Sequence, residues 1–308
     1  MYERLVVVTR KTRLEELVER FNTRGQAHFY LEHAGGNFAD YDEEHGVYRR
    51  SLDQVRHAVS LGLPCQFLDR SLVPTYTFDR SEVVVVLGQD GLVANVAKYA
   101  GGQPIIGINP DPSRFDGVLL PFGASAARRV VAETLSGRAH LRSITLAEAT
   151  LADGQRLLAF NDLFIGARTH VSARYRIRMG SKSEAQSSSG IIVATGAGST
   201  GWMSSIFNMA AGVTAFAGGS RGGSVRLDWE DRRLIYAVRE PFVSRHSAAG
   251  MVAGLIGPED LLELESLMPS GGVIFSDGIE ADFLEFNSGA LGRIRASAQR
   301  AHLVVPSD

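Results

Sequence analysis

Glu82-Val-Val-Val-Val-Leu-Gly-Gln-Asp-Gly-Leu-Val-Ala-Asn-Val-Ala-Lys-Tyr99 decides how this chain is read. Four consecutive valines ahead of a glycine turn predict a strand buried on both faces, because β-branched side chains suit a pleat that no polar group needs to leave. Gly88, Gln89, Asp90 and Gly91 form the turn, and Leu92, Val93, Val96 and Ala100 then recur at helical spacing. A buried strand thus delivers one carboxylate, Asp90, to a helix N-terminus, where the helix dipole favours negative charge.

The segments on either side repeat the alternation of strand and helix. Leu5 to Val8 predicts a short buried strand, and Thr12-Arg-Leu-Glu15 has the form of a capping box opening a helix on Leu14, Leu17, Val18 and Phe21, with Gly25 as its stop. Ser51 to Gly62 predicts an amphipathic helix on Leu52, Val55, Val59 and Leu61, with a second capping box at Ser51 and Gln54. Between them, Gln26 to Arg50 is polar and carries Phe29, Tyr30, His33, His45 and Tyr48; its composition favours a surface insertion over a site. Cys65 to Leu68 and Pro104 to Asn109 are further strands, and Ala124 to Leu135 a further helix. Residues 1–138 therefore read as an α/β, doubly wound, Rossmann-like domain with a parallel sheet. Ligands bind outside the carboxyl ends of such strands, where Gly88–Gly91 and the Asn109-Pro-Asp-Pro-Ser113 loop fall.

From Ser143 the hydrophobic period changes from helical to alternating, and residues 139–308 read as an all-β, sandwich-like domain. Arg174 to Arg178 alternates, and Leu157 to Ile165, Gly190 to Thr195, Val225 to Trp229, Leu234 to Arg239, Val273 to Ser276 and His302 to Val305 are strand candidates. Ala217-Gly-Gly-Ser-Arg-Gly-Gly-Ser224 lacks side-chain bulk and reads as a mobile loop. Gly196-Ala-Gly-Ser-Thr-Gly201 matches the dinucleotide fingerprint and precedes a helix on Trp202, Ile206, Met209 and Ala210, with Asp228 downstream. Its β-rich surroundings favour instead a strand-to-helix turn whose amides and hydroxyls, Thr195, Ser199 and Thr200, contact a polar ligand. Asn161 and Asp162 interrupt an apolar run; hydrogen bonds, a ligand or a bulge must satisfy them. An ordinary hairpin turn accounts for Asp277-Gly278.

Composition removes several function classes. Across 308 residues, 44% hydrophobic, the chain can bury two cores, and its net charge of -2 gives no field to draw nucleic acid or an anionic membrane. Lys11, Lys98 and Lys182 are the only lysines, so no Walker-type phosphate loop exists. Cys65 is the only cysteine, which excludes an intramolecular disulfide and a multi-cysteine zinc site, and it reads as a small buried hydrophobe. His57, His140, His170, His246 and His302 fall in no metallohydrolase or triad spacing. No apolar run reaches the ~18 residues of a membrane span, and the chain enters an apolar strand too early for a leader, so a cytoplasmic location is expected.

Taken in order, three features resemble the NAD kinase family, which carries Gly-Gly-Asp-Gly-Thr, Asn-Glu and Thr-Gly-Ser-Thr-Ala-Tyr. Here they stand as Gly88-Gln-Asp-Gly-Leu92, Asn161-Asp162 and Ala197-Gly-Ser-Thr-Gly-Trp202. Val8-Thr-Arg-Lys-Thr-Arg13, Gly107-Ile-Asn-Pro-Asp-Pro112, Thr195-Gly-Ala-Gly-Ser199, Arg239-Glu-Pro241 and Phe283-Leu-Glu-Phe-Asn287 extend the resemblance over nearly the whole chain, closest to the mitochondrial-type branch, in a bacterial relative. The resemblance implies transfer of the γ-phosphate of ATP to the 2'-hydroxyl of the adenosine ribose of NAD, with magnesium carried by ATP and no protein metal site, in a homo-oligomer, a dimer by preference. It implies Asp90 as the base. Gly91, Asn161, Asp162, Thr200, Gly201, Trp202 and Ser205 would hold NAD, and Gly88, Gln89, Gly196, Gly198 and Ser199 would face the phosphates of ATP. Four positions depart from the family pattern. Gln89 adds a side chain where backbone would approach phosphate, Leu92 removes a hydroxyl, Asp162 is one methylene shorter than the usual glutamate, and Ser189 stands where many relatives carry an acid. Gln89 and Leu92 motivate an alternative, a catalytically weakened NAD(P) sensor. A lipid kinase of the same superfamily is disfavoured by the intact Asn161-Asp162 pair.

Overall fold

Runs of β-branched residues become strands where the sequence places them. The structure, a computed structural model, describes residues 2–60, 62–220 and 222–307. It divides into two units, Met1–Arg142 with His302–Asp308, and Ser143–Ala301, so the closing residues return to the first unit.

In the first unit, strands β1 (Arg4–Thr9), β2 (Cys65–Asp69), β3 (Glu82–Leu87) and β4 (Pro104–Asn109) are parallel in the order β4-β3-β1-β2, with β5 (Phe122–Gly123) beside β4. Every residue of β3 and β4 is buried, as the valine run predicts. Helices α1 (Arg13–Phe21), α2 (Arg24–His33), α3 (Phe38–Ala58), α4 (Asp90–Tyr99) and α5 (Ala127–Leu135) surround the sheet. Alternate strand residues, Leu5, Val7, Val83, Val85, Ile106 and Ile108, pack against Leu52 and Val55 of α3 and Val130 and Val131 of α5. The Thr12–Glu15 capping box is present.

Four local expectations give way. Gln26–Arg50, expected as a surface insertion, is helical: Thr23 and Asn37 cap α2 and α3, and α3 buries Glu44 and Tyr48 on the sheet side. The Glu44 carboxylate accepts hydrogen bonds from Arg10 at 2.9 Å and from Arg13, while Arg114 reaches Asp40 at 2.6 Å and Glu43 at 2.8 Å. These partners are distant in sequence, so no local pattern announces the helix. Gly25 consequently lies inside α2, and Asn22, at φ 66°, ends α1 in its place. Ser51 lies in the interior of α3 and caps nothing; its hydroxyl donates to the Pro110 carbonyl at 2.8 Å. Leu61 lies outside the described residues. Cys65 is exposed, because β2 is an edge strand whose first three residues face outward.

The second unit stacks two sheets. Its strands are β6 (His140–Leu151, which starts in the first unit), β7 (Arg156–Ala159), β8 (Asp162–Ala167), β9 (Ala173–Met179), β10 (Lys182–Ser188), β11 (Ile191–Ala194), β12 (Leu234–Val238), β13 (Ala253–Ile256), β14 (Leu262–Ser266), β15 (Gly272–Ser276), β16 (Ile279–Glu285) and β17 (Leu291–Val305, which ends in the first unit). One layer runs β10-β9-β14-β17 with β6 and β7; the other is antiparallel, β13-β12-β11-β8-β15-β16. Tyr175, Ile177, Leu264 and Ile294 of the first meet Leu163, Ile165, Val193 and Ile274 of the second in one core. The unit is thus β-rich and sandwich-like, with a single long helix, α6 (Trp202–Phe216), that packs Met203 and Ile206 on the outer face against Ile192, Ala194 and Ala237. The expected strand from Leu157 to Ile165 is two strands, β7 and β8, parted at Phe160 and Asn161. Val225–Trp229 forms no strand. The Gly- and Ser-rich stretch after α6 forms no regular element in its described residues, and its Arg221 lies outside them. Among the described residues, no helix is long and apolar enough to cross a membrane.

Candidate active site

Gly88, Gln89, Asp90 and Gly91 form the β3-to-α4 turn at the carboxyl edge of the first unit's sheet. Gln89 is the extended N-cap residue and is exposed; Asp90 opens the helix. The Leu119 amide donates to Asp90 Oδ1 at 2.6 Å, and no hydrogen bond among the described residues reaches Oδ2. Asp90 therefore has one oxygen fixed by the 110–121 loop and one left for a proton or a ligand. Leu92 is buried, and its Cδ2 lies 2.8 Å from where a Cβ on Gly88 would stand, so the leucine occupies the space over that glycine. Nothing lies within 4 Å of a Cβ on Gly91. Beneath the turn, the Tyr48 hydroxyl donates to the Leu87 carbonyl at 3.2 Å and accepts from the Arg10 amide at 3.0 Å; burial pushes its pKa up to about 12.

In the second unit, the other expected site residues gather around the break between β7 and β8. The chain leaves the ladder at Phe160 and Asn161, so their backbone groups need partners from elsewhere. The Asp277 carboxylate supplies acceptors: it takes the amide protons of Phe160 at 3.0 Å, Asn161 at 2.6 Å and Asp162 at 3.3 Å. Thr195 supplies donors, its amide to the Asn161 carbonyl at 2.9 Å and its hydroxyl to the Phe160 carbonyl at 2.6 Å. The hydroxyl also accepts from the Gly198 amide at 3.2 Å, which ties the break to the next segment.

That segment, Gly196 to Gly201, is a tight 3-10 turn leading into α6. Its strand, β11, has antiparallel neighbours on both sides, so the letter match to a dinucleotide βαβ unit is coincidental. The glycines have a packing reason. A Cβ on Gly198 would stand 2.0 Å from the Asn161 carbonyl oxygen, and one on Gly196 1.8 Å from that of Asp228. Ser199 is buried, and its hydroxyl donates to the Gly196 carbonyl at 2.7 Å. Thr200, Gly201 and Ser205 are exposed along the start of α6.

Asp162 and Phe164 share one face of β8, the face that α6 covers. Phe164 lies parallel to Trp202, centroids 6.0 Å apart, and packs on Phe275 at 4.8 Å; the Arg239 guanidinium stands 5.4 Å over the Trp202 ring. A cavity of about 720 Å³ opens beside this stack, flanked by Arg168, Arg239 and Glu280. Its volume suits a small organic ligand, and its rings and guanidiniums suit one with flat and anionic parts. Asp162 is 8% exposed, and its carboxyl makes no hydrogen bond among the described residues. Burial, and then the neighbouring Asp277 carboxylate, push its pKa up to about 7.

The sequence singles out Asn161, Asp162 and the Gly196–Trp202 turn, but marks Asp277 only as a turn residue. Asp277-Gly278 is indeed the hairpin turn between β15 and β16, with φ of 53° and 71°, and turn chemistry alone explains the pair. The Phe164–Phe275 contact and the Arg239 stack depend on strand register, which no local signal gives. Among the described residues no group of three or more His, Cys, Asp or Glu side chains could hold a metal ion.

No family model and no curated protein matches the chain. Among solved structures, it is similar to the crystal structure of yeast NADH kinase complexed with NADH, at TM-score 0.59 and 15% identity, over 100% of this chain and 84% of that one. It is similar also to an NAD kinase from Archaeoglobus fulgidus in complex with ATP, at TM-score 0.57 and 16% identity, over 98% of this chain and 93% of that one. The likeness is one of fold.

Two measurements check this geometry. Gly198→Ala should cost about 3 kcal/mol or more in urea unfolding, since the new methyl meets a carbonyl that cannot withdraw, whereas Gly91→Ala, in open space on a helix, should raise stability by up to ~1 kcal/mol. Asp162 has a folded pKa of about 7 against an ordinary 3.8, so the proton it keeps stabilises the fold fully below the ordinary value and that contribution is lost as pH rises through about 7. Asp162→Asn should remove that slope, and its stability advantage over the natural protein should grow between about pH 4 and pH 7.

Proposed function

We propose that this chain is an NAD kinase, which transfers the γ-phosphate of ATP to the 2'-hydroxyl of the adenosine ribose of NAD and releases NADP and ADP. The observation that carries the reading is the gathering of Asn161, Asp162 and the Gly196–Trp202 turn around one strand break, in a fold shared with enzymes solved with NADH and with ATP. In this reading Asn161 and Asp162 take the adenosine half of NAD, with Gly91, Thr200, Gly201, Trp202 and Ser205 along the same ligand. Gly88, Gln89, Gly196, Gly198 and Ser199 face the donor's phosphates through their backbone groups.

Asp90 is the base. Its open Oδ2 takes the proton of the 2'-hydroxyl; the ribose oxygen then bonds to the γ-phosphorus as the bond to the β–γ bridging oxygen breaks, and ADP leaves with that electron pair. Magnesium, carried by ATP, would neutralise phosphate charge and would be held chiefly by phosphate and water. The departures at Gln89 and Leu92 are compatible with turnover. Gln89 is exposed, and Leu92 is buried over Gly88. The enzyme belongs nearest the mitochondrial-type branch and acts as a cytoplasmic homodimer, without nucleic-acid or membrane partners.

Purified protein with ATP, magnesium and NAD should form NADP. Asp90→Asn should lower kcat at least ~100-fold while NAD affinity stays within a few fold. Absence of NADP with ATP, other nucleotides and polyphosphate, alongside intact NAD binding, would establish the sensor in its place. Undiminished turnover in Asp90→Asn would remove Asp90 from the base role.

A further inference from the structure

We propose that Asp277 is a positioning residue for the candidate adenosine site: by gathering the Phe160, Asn161 and Asp162 amides it fixes the strand break that presents Asn161 and Asp162 to the ligand. The inference deepens the kinase reading and rests on it for the identity of the ligand, though not for the geometry. Several features single out this residue. It sits in the left-handed region, at φ 53°, at the first position of a two-residue hairpin loop. Asn or Gly would satisfy that turn equally well, so turn chemistry does not require a carboxylate. A carboxylate is required by three amides converging on two oxygens, since it alone brings enough acceptor lone pairs and a charge to strengthen each bond. The Asp277 amide returns a bond to the Asp162 carbonyl at 3.0 Å, which locks the two segments from both directions.

The placement has a chemical consequence for Asp162. Asp277 is the charged group acting on it; β11, paired on its other side, sets Ala194 opposite it, and the following turn brings Thr195 and Ser199, none of which carries charge. Asp162 is buried, makes no side-chain hydrogen bond among the described residues, and lies beside a carboxylate already committed to three amides. In its protonated form Asp162 is a hydrogen-bond donor, and a donor at this position suits an acceptor atom on the ligand, such as a ring nitrogen or a ribose oxygen. Asn161 adds an amide with both donor and acceptor capacity next to it. Asp277 therefore sets both where the pair points and which role Asp162 takes.

The test follows the Asp162 carboxyl by carbon-13 NMR between pH 5 and 8.5 in the natural protein and Asp277→Asn, and NAD affinity over the same range in these two and Asp162→Asn. The natural protein should titrate at Asp162 near pH 7 and bind NAD more weakly above that midpoint. Asp277→Asn should move the midpoint toward the ordinary carboxylate range and weaken NAD binding ~10-fold or more at pH 6. Asp162→Asn, which keeps a donor without a charge, should lose the pH dependence of NAD binding. An Asp162 midpoint unmoved in folded Asp277→Asn overturns the inference, as does an Asp162→Asn protein that retains the pH dependence. If Asp277→Asn fails to fold, the same midpoint comparison is made with Asp277→Gly, which the turn at φ 53° accommodates. If NAD binds none of the three, the kinase reading fails, while the midpoint comparison still decides the role of Asp277.

Discussion

A break in a buried strand leaves amide protons with no ladder partner, and each one unsatisfied costs ~1–3 kcal/mol. That constraint governs the second unit. Between β7 and β8 three successive amides point at one carboxylate, Asp277, and the two carbonyls alongside are taken by Thr195. The break can persist only with both partners in place, so the β15–β16 turn, the end of β11 and the start of β8 are one cooperative object. Gly198 belongs to it as well, because no other residue type lets the 3-10 turn lie against the Asn161 carbonyl.

Assembled in this way, the strand break converts two polar residues into a presented pair. Asn161 is half-buried beside Asp162, whose acid is held near neutrality by burial and by Asp277, and the same face of β8 continues into the Phe164–Trp202 stack and its cavity. An apolar shelf with a few fixed polar groups at one end is how proteins orient small ligands. In the first unit a carboxylate stands at a helix start with one oxygen anchored by the Leu119 amide and a glycine beside it in open space.

Much of this was legible in the sequence wherever the signal was local. The valine run, the turn at Asp90, the Thr12 capping box and the anomaly of Asn161-Asp162 each follow from a few adjacent residues, and each is present. What escaped was held together over long separations. α2 and α3 carry weak apolar periodicity; Arg10, Arg13 and Arg114 fasten α3 through Asp40, Glu43 and Glu44, and a window of neighbouring residues does not contain those pairs. Ser51 and Gln54 have the letters of a helix start, but α3 begins earlier, at an Asn37 cap, and runs through them. Cys65 is exposed through edge position, a property of sheet order that no local pattern contains. Asp277 was hidden for a different reason: its local role in the turn is sufficient, so nothing in the sequence called for a second one.

If the Asn161–Asp162 break is the adenosine site of a dinucleotide kinase, NAD must lie against it. The most direct test is a crystal structure of the protein with NAD. The account predicts the adenosine ribose or ring within hydrogen-bond distance of Asn161 and Asp162, with the β7–β8 break unchanged and Asp277 still holding its three amides. Density for NAD elsewhere, with Asn161 and Asp162 untouched by it, would contradict the account.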